Sequence, residues 1–249
     1  MKEHKTDVSA FGLHLLAMGL MLCDHAWATV AGDAMWLTHI GRLAFPIFAF
    51  LLSEGFVRTG NRKKYLLRLL ITAVLSEIPF DLMYAGTVFY PYHQNVIWTF
   101  IIAFLCMWAI DAVYKRKGRI LGAAMAVLMC IVGLAAGTVL MVDYYGAGVL
   151  TVLAFYILRE RKIWVQTLLL AAMWWINCEL LGGEILELSL FGRSVEIYEQ
   201  GLAMLSLIPI WLYHGRQGIH SRWTRMLNYG FYPAHMLILY LLSRLISLT

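Results

Sequence analysis

"LLAMGLMLCDHAW", Leu15–Trp27, decides the fold. An apolar run from Leu15 to Cys23 ends on a carboxylate, Asp24, beside an imidazole, His25. Extended to Phe11–Val30, the stretch has the length of about 20 residues that a helix needs to cross a bilayer. The rest of the chain agrees. Of its 249 residues 61% are hydrophobic and 14% charged, against roughly 25% charged in a soluble domain. A second reading of the N-terminus is a cleavable signal peptide, "MKEHK" followed by the apolar run and Ala26-Trp27-Ala28. Cleavage there would discard Asp24 and His25, a pair for which a signal peptide has no use, so the stretch is read as the first span.

Hydropathy then marks nine spans: Phe11–Val30, Gly41–Phe56, Tyr65–Tyr84, Val96–Tyr114, Ile120–Met141, Tyr145–Leu158, Trp164–Leu181, Gly201–Tyr213 and Tyr229–Ile246. The sixth and eighth are short. Charge placement supports keeping both. With the N-terminus inside, 17 of the 20 Lys and Arg residues fall on the inner side: Lys2, Lys5, Arg58, Arg62, Lys63, Lys64, Arg68, Lys115, Arg116, Lys117, Arg119, Arg159, Arg161, Lys162, Arg216, Arg222 and Arg225. Only Arg42, Arg193 and Arg244 fall outside. Dropping one short span would reverse every later loop and lose this positive-inside pattern. The expected fold is an all-α polytopic membrane helix bundle of about nine transmembrane helices, a single domain over 1–249 with a cytoplasmic N-terminus. Cys23, Cys106, Cys130 and Cys178 all lie in apolar stretches without metal-ligand spacing. They read as packing residues, and no metal is expected.

Ionisable groups inside a membrane are costly, about 2.5–3.5 kcal/mol each on insertion scales, and are functional candidates by default. In this topology they gather toward the outer face. Asp24 and His25 close the first span and Arg42 opens the second. Glu77 and Asp81 occupy the outer half of the third, Gln94 and Asn95 begin the fourth, Asp143 lies between the fifth and sixth, and Glu199 and Gln200 precede the eighth. Glu77, Asp81 and Tyr84 share one helix face. His14, Met18, Met21 and His25 form a stripe whose two histidines are about 16 Å apart. His235, in "NYGFYPAHMLILYLL", is a further buried titratable group. Pro46 and Pro79 lie inside spans and imply kinks or freed carbonyls.

A histidine beside carboxylates is the minimum equipment of a general base. His25 is the candidate, with Asp24, Glu77 or Asp81 to orient it. Asp24 and His25, about 100° apart as helix neighbours, do not face each other squarely. No Ser or Cys stands out as a nucleophile. Direct transfer, with His25 taking a proton from an amine or hydroxyl, needs none. Arg42 either anchors to headgroups or stabilises a developing oxyanion. Gln94, Asn95, Asp143 and His235 are candidate substrate-binding residues. The basic loop "RTGNRKKYLLR", with Arg58, Arg62, Lys63, Lys64 and Arg68, orients the chain and touches lipid headgroups, or docks a phosphorylated donor such as coenzyme A. An extended pantetheine arm has the reach to run from that dock into the helix-1 stripe. Walker, GxGxxG and zinc signatures are absent from the sequence.

Several strings in order, "DH" at Asp24-His25, "IGRLAFPIFAFLLSEGF" at Ile40–Phe56, "NRKKYLLRLLI" at Asn61–Ile71, "SEIPFDL" at Ser76–Leu82, "QNVIWTF" at Gln94–Phe100, "DYYGAGVL" at Asp143–Leu150 and "FYPAHMLILYLL" at Phe231–Leu242, resemble the TraX family over nearly the whole chain. The family's named member acetylates the N-terminus of F-type pilin, and the family is grouped with polytopic acyltransferases that use cytoplasmic acyl-CoA. The resemblance implies an acetyl-CoA-dependent transferase in a bacterial cytoplasmic membrane, with His25 catalytic and Arg42, Arg62 and Arg68 among the arginines serving catalysis or the donor. Its expected partners are acyl-CoA, a peptide, glycan or small-molecule acceptor, and membrane lipids, with no nucleic acid. Two other classes fit the same residues: a proton-coupled transporter using Asp24, His25, Glu77 and Asp81 as a relay, and a non-catalytic assembly factor.

Overall fold

The computed structural model describes residues 7–190, 193–219 and 221–247; Lys2 and Lys5 of the charge pattern lie outside them. The regular secondary structure of the described residues is helical apart from one two-stranded hairpin and two isolated bridges. Five helical stretches are long and apolar enough to cross a membrane: Ala10–Thr29, Trp36–Arg58, Val96–Lys117, Arg119–Val139 and Ile163–Leu181. The chain divides into two compact units, Met1–Leu51 with Met173–Thr249, and Leu52–Ala172.

The first unit is built on α1 (Ala10–Thr29) and α10 (Arg222–Ile246). Ser9 caps α1 by accepting from the Gly12 N–H at 3.1 Å, and a Ser221–Thr224 capping box starts α10. The loop before α10 is tied to the start of α1. Ala10 N–H donates to the Arg216 carbonyl at 2.8 Å and Phe11 N–H to the Gln217 carbonyl at 3.1 Å. Farther on, His25 of α1 meets His235 of α10. The two contacts come in the same order along both segments, Ala10 then His25 on one and Arg216 then His235 on the other, so α1 and α10 run side by side in one direction.

The expected second span differs in detail. A short α2 (Trp36–Gly41) precedes α3 (Ala44–Arg58), with a break at Arg42 and Leu43. Pro46 causes it. A proline donates no N–H and is tolerated in a first turn but not mid-helix, so α3 starts two residues before it. Gly41 lies against Asp24 so closely that a Cβ would collide with the carboxylate. The expected seventh span is α8 (Ile163–Trp174) continued by a π-helical turn, Trp175–Leu181. The eighth is a 3-10 helix, Glu199–Ser206, and the short α9 (Leu207–Trp211). Together these reach about 24 Å, short of the roughly 30 Å of hydrocarbon in a bilayer. Between the seventh and eighth, where only a loop is expected, lies an antiparallel hairpin, β1 (Ile185–Leu190) and β2 (Arg193–Tyr198), in register from Ile185 opposite Tyr198 to Leu190 opposite Arg193.

The second unit packs α4 (Arg62–Ala85), α5 (Val96–Lys117), α6 (Arg119–Val139) and α7 (Tyr145–Ile157), with α5 touching the other three. α7 is short because protein surrounds it. Val149, Val152 and Leu153 are fully buried, so its length need not match the bilayer. Gly146 approaches α6 so closely that a Cβ would enter the Leu134 carbonyl. α4 is continuous through Pro79.

Candidate functional site

The polar residues divide between the two units. Asp24, His25, Arg42, Glu199 and His235 belong to the first, and Glu77, Asp81, Gln94, Asn95 and Asp143 to the second.

In the first unit the partner of His25 is a second histidine. His25 Nδ1 and His235 Nε2 are 2.8 Å apart, and His235 Nδ1 is 2.8 Å from the Phe231 carbonyl oxygen one turn earlier. The ring centroids of His25 and His235 are 4.9 Å apart with planes 14° from parallel. That separation is close to the N···N distance plus the two ring radii. The rings therefore lie nearly edge to edge in one plane, as a straight N–H···N bond requires. The Phe231 ring stacks on His235 at 4.7 Å. His235 is buried and His25 half-buried. Asp24 turns to α2, where its Oδ1 accepts from the Thr38 hydroxyl at 2.8 Å. The 100° between helix neighbours produces this split: one residue faces α10, the next faces α2.

Arg42, at the break before α3, holds Glu199 at the start of the 3-10 helix. Its Nε and Nη2 each lie 3.3 Å from the carboxylate, and His39 Nε2 is 4.0 Å from Glu199 Oε1. Gln200 donates to the Asn177 side chain at 3.3 Å. Asn177 lies in the π-helical turn, a distortion frequent at functional sites.

One end of the second unit is acidic and aromatic. Glu77 Oε2 accepts from the Trp98 indole at 2.8 Å and from the Asn95 amide. The same Asn95 amide donates to the Ala73 carbonyl at 3.0 Å, while its oxygen caps α5 by accepting from Ile97 N–H at 3.0 Å. Asp81, 2% exposed, accepts from the Tyr90 N–H at 2.9 Å. Glu77 Oε1 and Asp81 Oδ1 are buried without a hydrogen-bond partner among the described residues. Gln94 pairs through its backbone with Met141 and Asp143, both at 2.9 Å. Asp143 lies 3.3 Å from His93 Nε2, and the His93 ring stacks on Tyr84 at 4.7 Å. The turn around Asp143 holds Met141, Tyr144 and Tyr145 at positive φ, a conformation that L residues adopt under constraint.

The opposite end is basic. Arg62 Nη1 lies 2.6 Å from Asp111, which also binds Lys115 at 2.9 Å. The start of α4 and the end of α5 thereby bring "RKK" at 62–64 beside "KRK" at 115–117. The Arg62 guanidinium covers the Phe56 ring at 4.1 Å. Arg58 pairs with Glu54 at 2.8 Å, Arg68 lies over Tyr65 at 5.5 Å, and Lys63 and Lys64 are exposed. Sequence reasoning missed His93, Thr38, Trp98 and Asp111 as partners. Only His93, inside the polar string "YHQN", carried a local signal. Among the described residues, no group of three or more His, Cys, Asp or Glu side chains is placed to hold a metal ion.

The family described as TraX protein matches residues 10–243 of this chain. The chain is also 31% identical over 248 residues to the probable fimbrial assembly protein FimC, serogroup H1, of Dichelobacter nodosus, covering 94% of this chain and 95% of that relative. No solved structure matches the chain significantly.

Proposed function

The chain belongs to the TraX family, and on that premise we propose that it is a membrane-embedded acetyltransferase moving an acetyl group from cytoplasmic acetyl-CoA to an extracytoplasmic amine or hydroxyl. The observation that carries the reading is His25, a half-buried imidazole in a membrane-length helix, oriented by a ring on another helix. The acceptor nitrogen or oxygen attacks the thioester carbonyl carbon, and its proton goes to His25. The C–S bond then breaks, and the coenzyme leaves as a thiol once the thiolate takes that proton. Arg42, steadied by Glu199, stabilises the tetrahedral oxyanion. The donor phosphates bind at the basic end of the second unit, where Lys63 and Lys64 are exposed. The fimbrial relative favours a peptide amine as acceptor.

Nine crossings of the bacterial cytoplasmic membrane from a cytoplasmic N-terminus complete the proposal. Its support is the parallel run of α1 and α10, which fits an odd number of crossings between them, and the eighth segment, about 24 Å long, would cross where the bilayer thins to meet a short span. The test is purified protein in detergent with acetyl-CoA and two synthetic peptides, one with a free and one with a blocked N-terminus. Mass spectrometry should find the acetyl group on the free amine. Failure to bind acetyl-CoA at millimolar concentration overturns the reading. A second reading, proton-coupled transport, draws on the unpartnered oxygens of Glu77 and Asp81. It requires solute movement in proteoliposomes without an acyl donor.

A further inference from the structure

The two-histidine chain has a direction. A carbonyl oxygen only accepts, so the 2.8 Å contact between His235 Nδ1 and the Phe231 carbonyl requires a proton on Nδ1. A neutral imidazole carries one N–H, so His235 Nε2 is then a bare acceptor. Its 2.8 Å partner, His25 Nδ1, must be the donor. Neutral His25 is left with its proton on Nδ1 and a lone pair on Nε2, which makes no hydrogen bond among the described residues.

Building on the acetyltransferase reading, we infer that His235 is a positioning residue that fixes the tautomer of His25, so that His25 Nε2 is the atom that takes the acceptor's proton. His235 then acts through His25 rather than on substrate, and a neutral ring rather than a carboxylate orients the base. In Ser-His-Asp sites a buried carboxylate does this work. Here an imidazole held on one face by the Phe231 ring and on one edge by the Phe231 carbonyl does it, with no buried anion to desolvate. The geometry also orders the pair. His235 has both nitrogens engaged and is 4% exposed, while His25 is half-buried, so the outer ring meets the acceptor. When His25 takes a proton on Nε2, its Nδ1–H bond to His235 becomes charge-assisted and strengthens. His235 therefore favours the state reached during transfer over the resting state.

The experiment joins a spectrum to kinetics. Protein labelled with 15N-histidine is examined for its ring nitrogens, and the His25 signals are assigned by their loss in His25→Gln. Wild type should show Nδ1 protonated and Nε2 bare, the minor form of free histidine in water. His235→Phe keeps an aromatic ring but no acceptor. It should return His25 to the Nε2–H form and lower kcat for acetyl transfer 10–100-fold, with KM for acetyl-CoA within twofold. His235→Gln, whose amide oxygen accepts from Nδ1–H, should restore the wild-type spectrum and most of kcat. A wild-type His25 protonated on Nε2, or a His235→Gln as impaired as His235→Phe, overturns the inference. Absence of transfer in the wild type overturns the acetyltransferase reading instead, and the spectrum still decides the tautomer.

Discussion

Two buried polar clusters in this molecule treat their hydrogen-bonding groups in opposite ways. In the first unit every ring nitrogen of His235 has a partner, and His25 keeps one lone pair. In the second, Glu77 and Asp81 each use one carboxylate oxygen and leave the other buried without a donor. A satisfied chain holds its members in one geometry and exposes a single reactive atom. A half-satisfied carboxylate in a low-dielectric setting carries a desolvation cost. The contrast matches the proposed roles: the histidine chain holds one reactive atom in place, whereas the acids tie α4 to the residues that follow it, Glu77 to Asn95 and Trp98 and Asp81 to Tyr90.

Substitutions at three residues test that contrast, in falling order of effect. Asn95→Ala removes the cap of α5 and the amide bonds to Glu77 and Ala73 together. The expected loss is about 3 kcal/mol, from roughly 1 kcal/mol for the cap and the rest for hydrogen bonds including one to a carboxyl group. A thermal melt in detergent measures it, and an unchanged midpoint would show that these bonds do not tie α4 to α5. Asp24→Ala breaks the Thr38 bond and should cost about 1 kcal/mol. Asp24→Asn keeps an acceptor for Thr38 and should transfer acetyl within about threefold of wild type. A collapse of transfer in Asp24→Asn would restore Asp24 as a catalytic acid. Glu77→Gln should be the mildest, within about 1 kcal/mol, because its amide oxygen can still accept from Asn95 and Trp98. Loss of all activity in Glu77→Gln with folding intact would favour the proton-relay reading.

Much of the helical layout was legible because hydropathy alone specifies it. α1, α5, α6 and α7 start within one residue of their expected positions and end within three. His25 was legible because an imidazole at the end of an apolar run is expensive. Its partner was not, since 210 residues separate the rings and nothing local marks two parallel helices as neighbours. The hairpin was missed for another reason. In "ILELSL" the apolar residues alternate with polar ones over only part of a short segment, which a span-length average erases. The divergence of Asp24 from His25 was legible in the 100° between helix neighbours, but its partner Thr38, 14 residues on in a separate short helix, was not. The basic loop was legible as charge but not as structure. The pairing of Arg62 with Asp111 depends on how α4 and α5 meet.

The most direct test compares wild type with His25→Gln at saturating acetyl-CoA, measuring the dissociation constant and the single-turnover acetyl-transfer rate on the same preparations. The account predicts donor affinity within about twofold and a rate lower by roughly two to four orders of magnitude, the range a positioned general base supplies. Equal rates in the two proteins would contradict it.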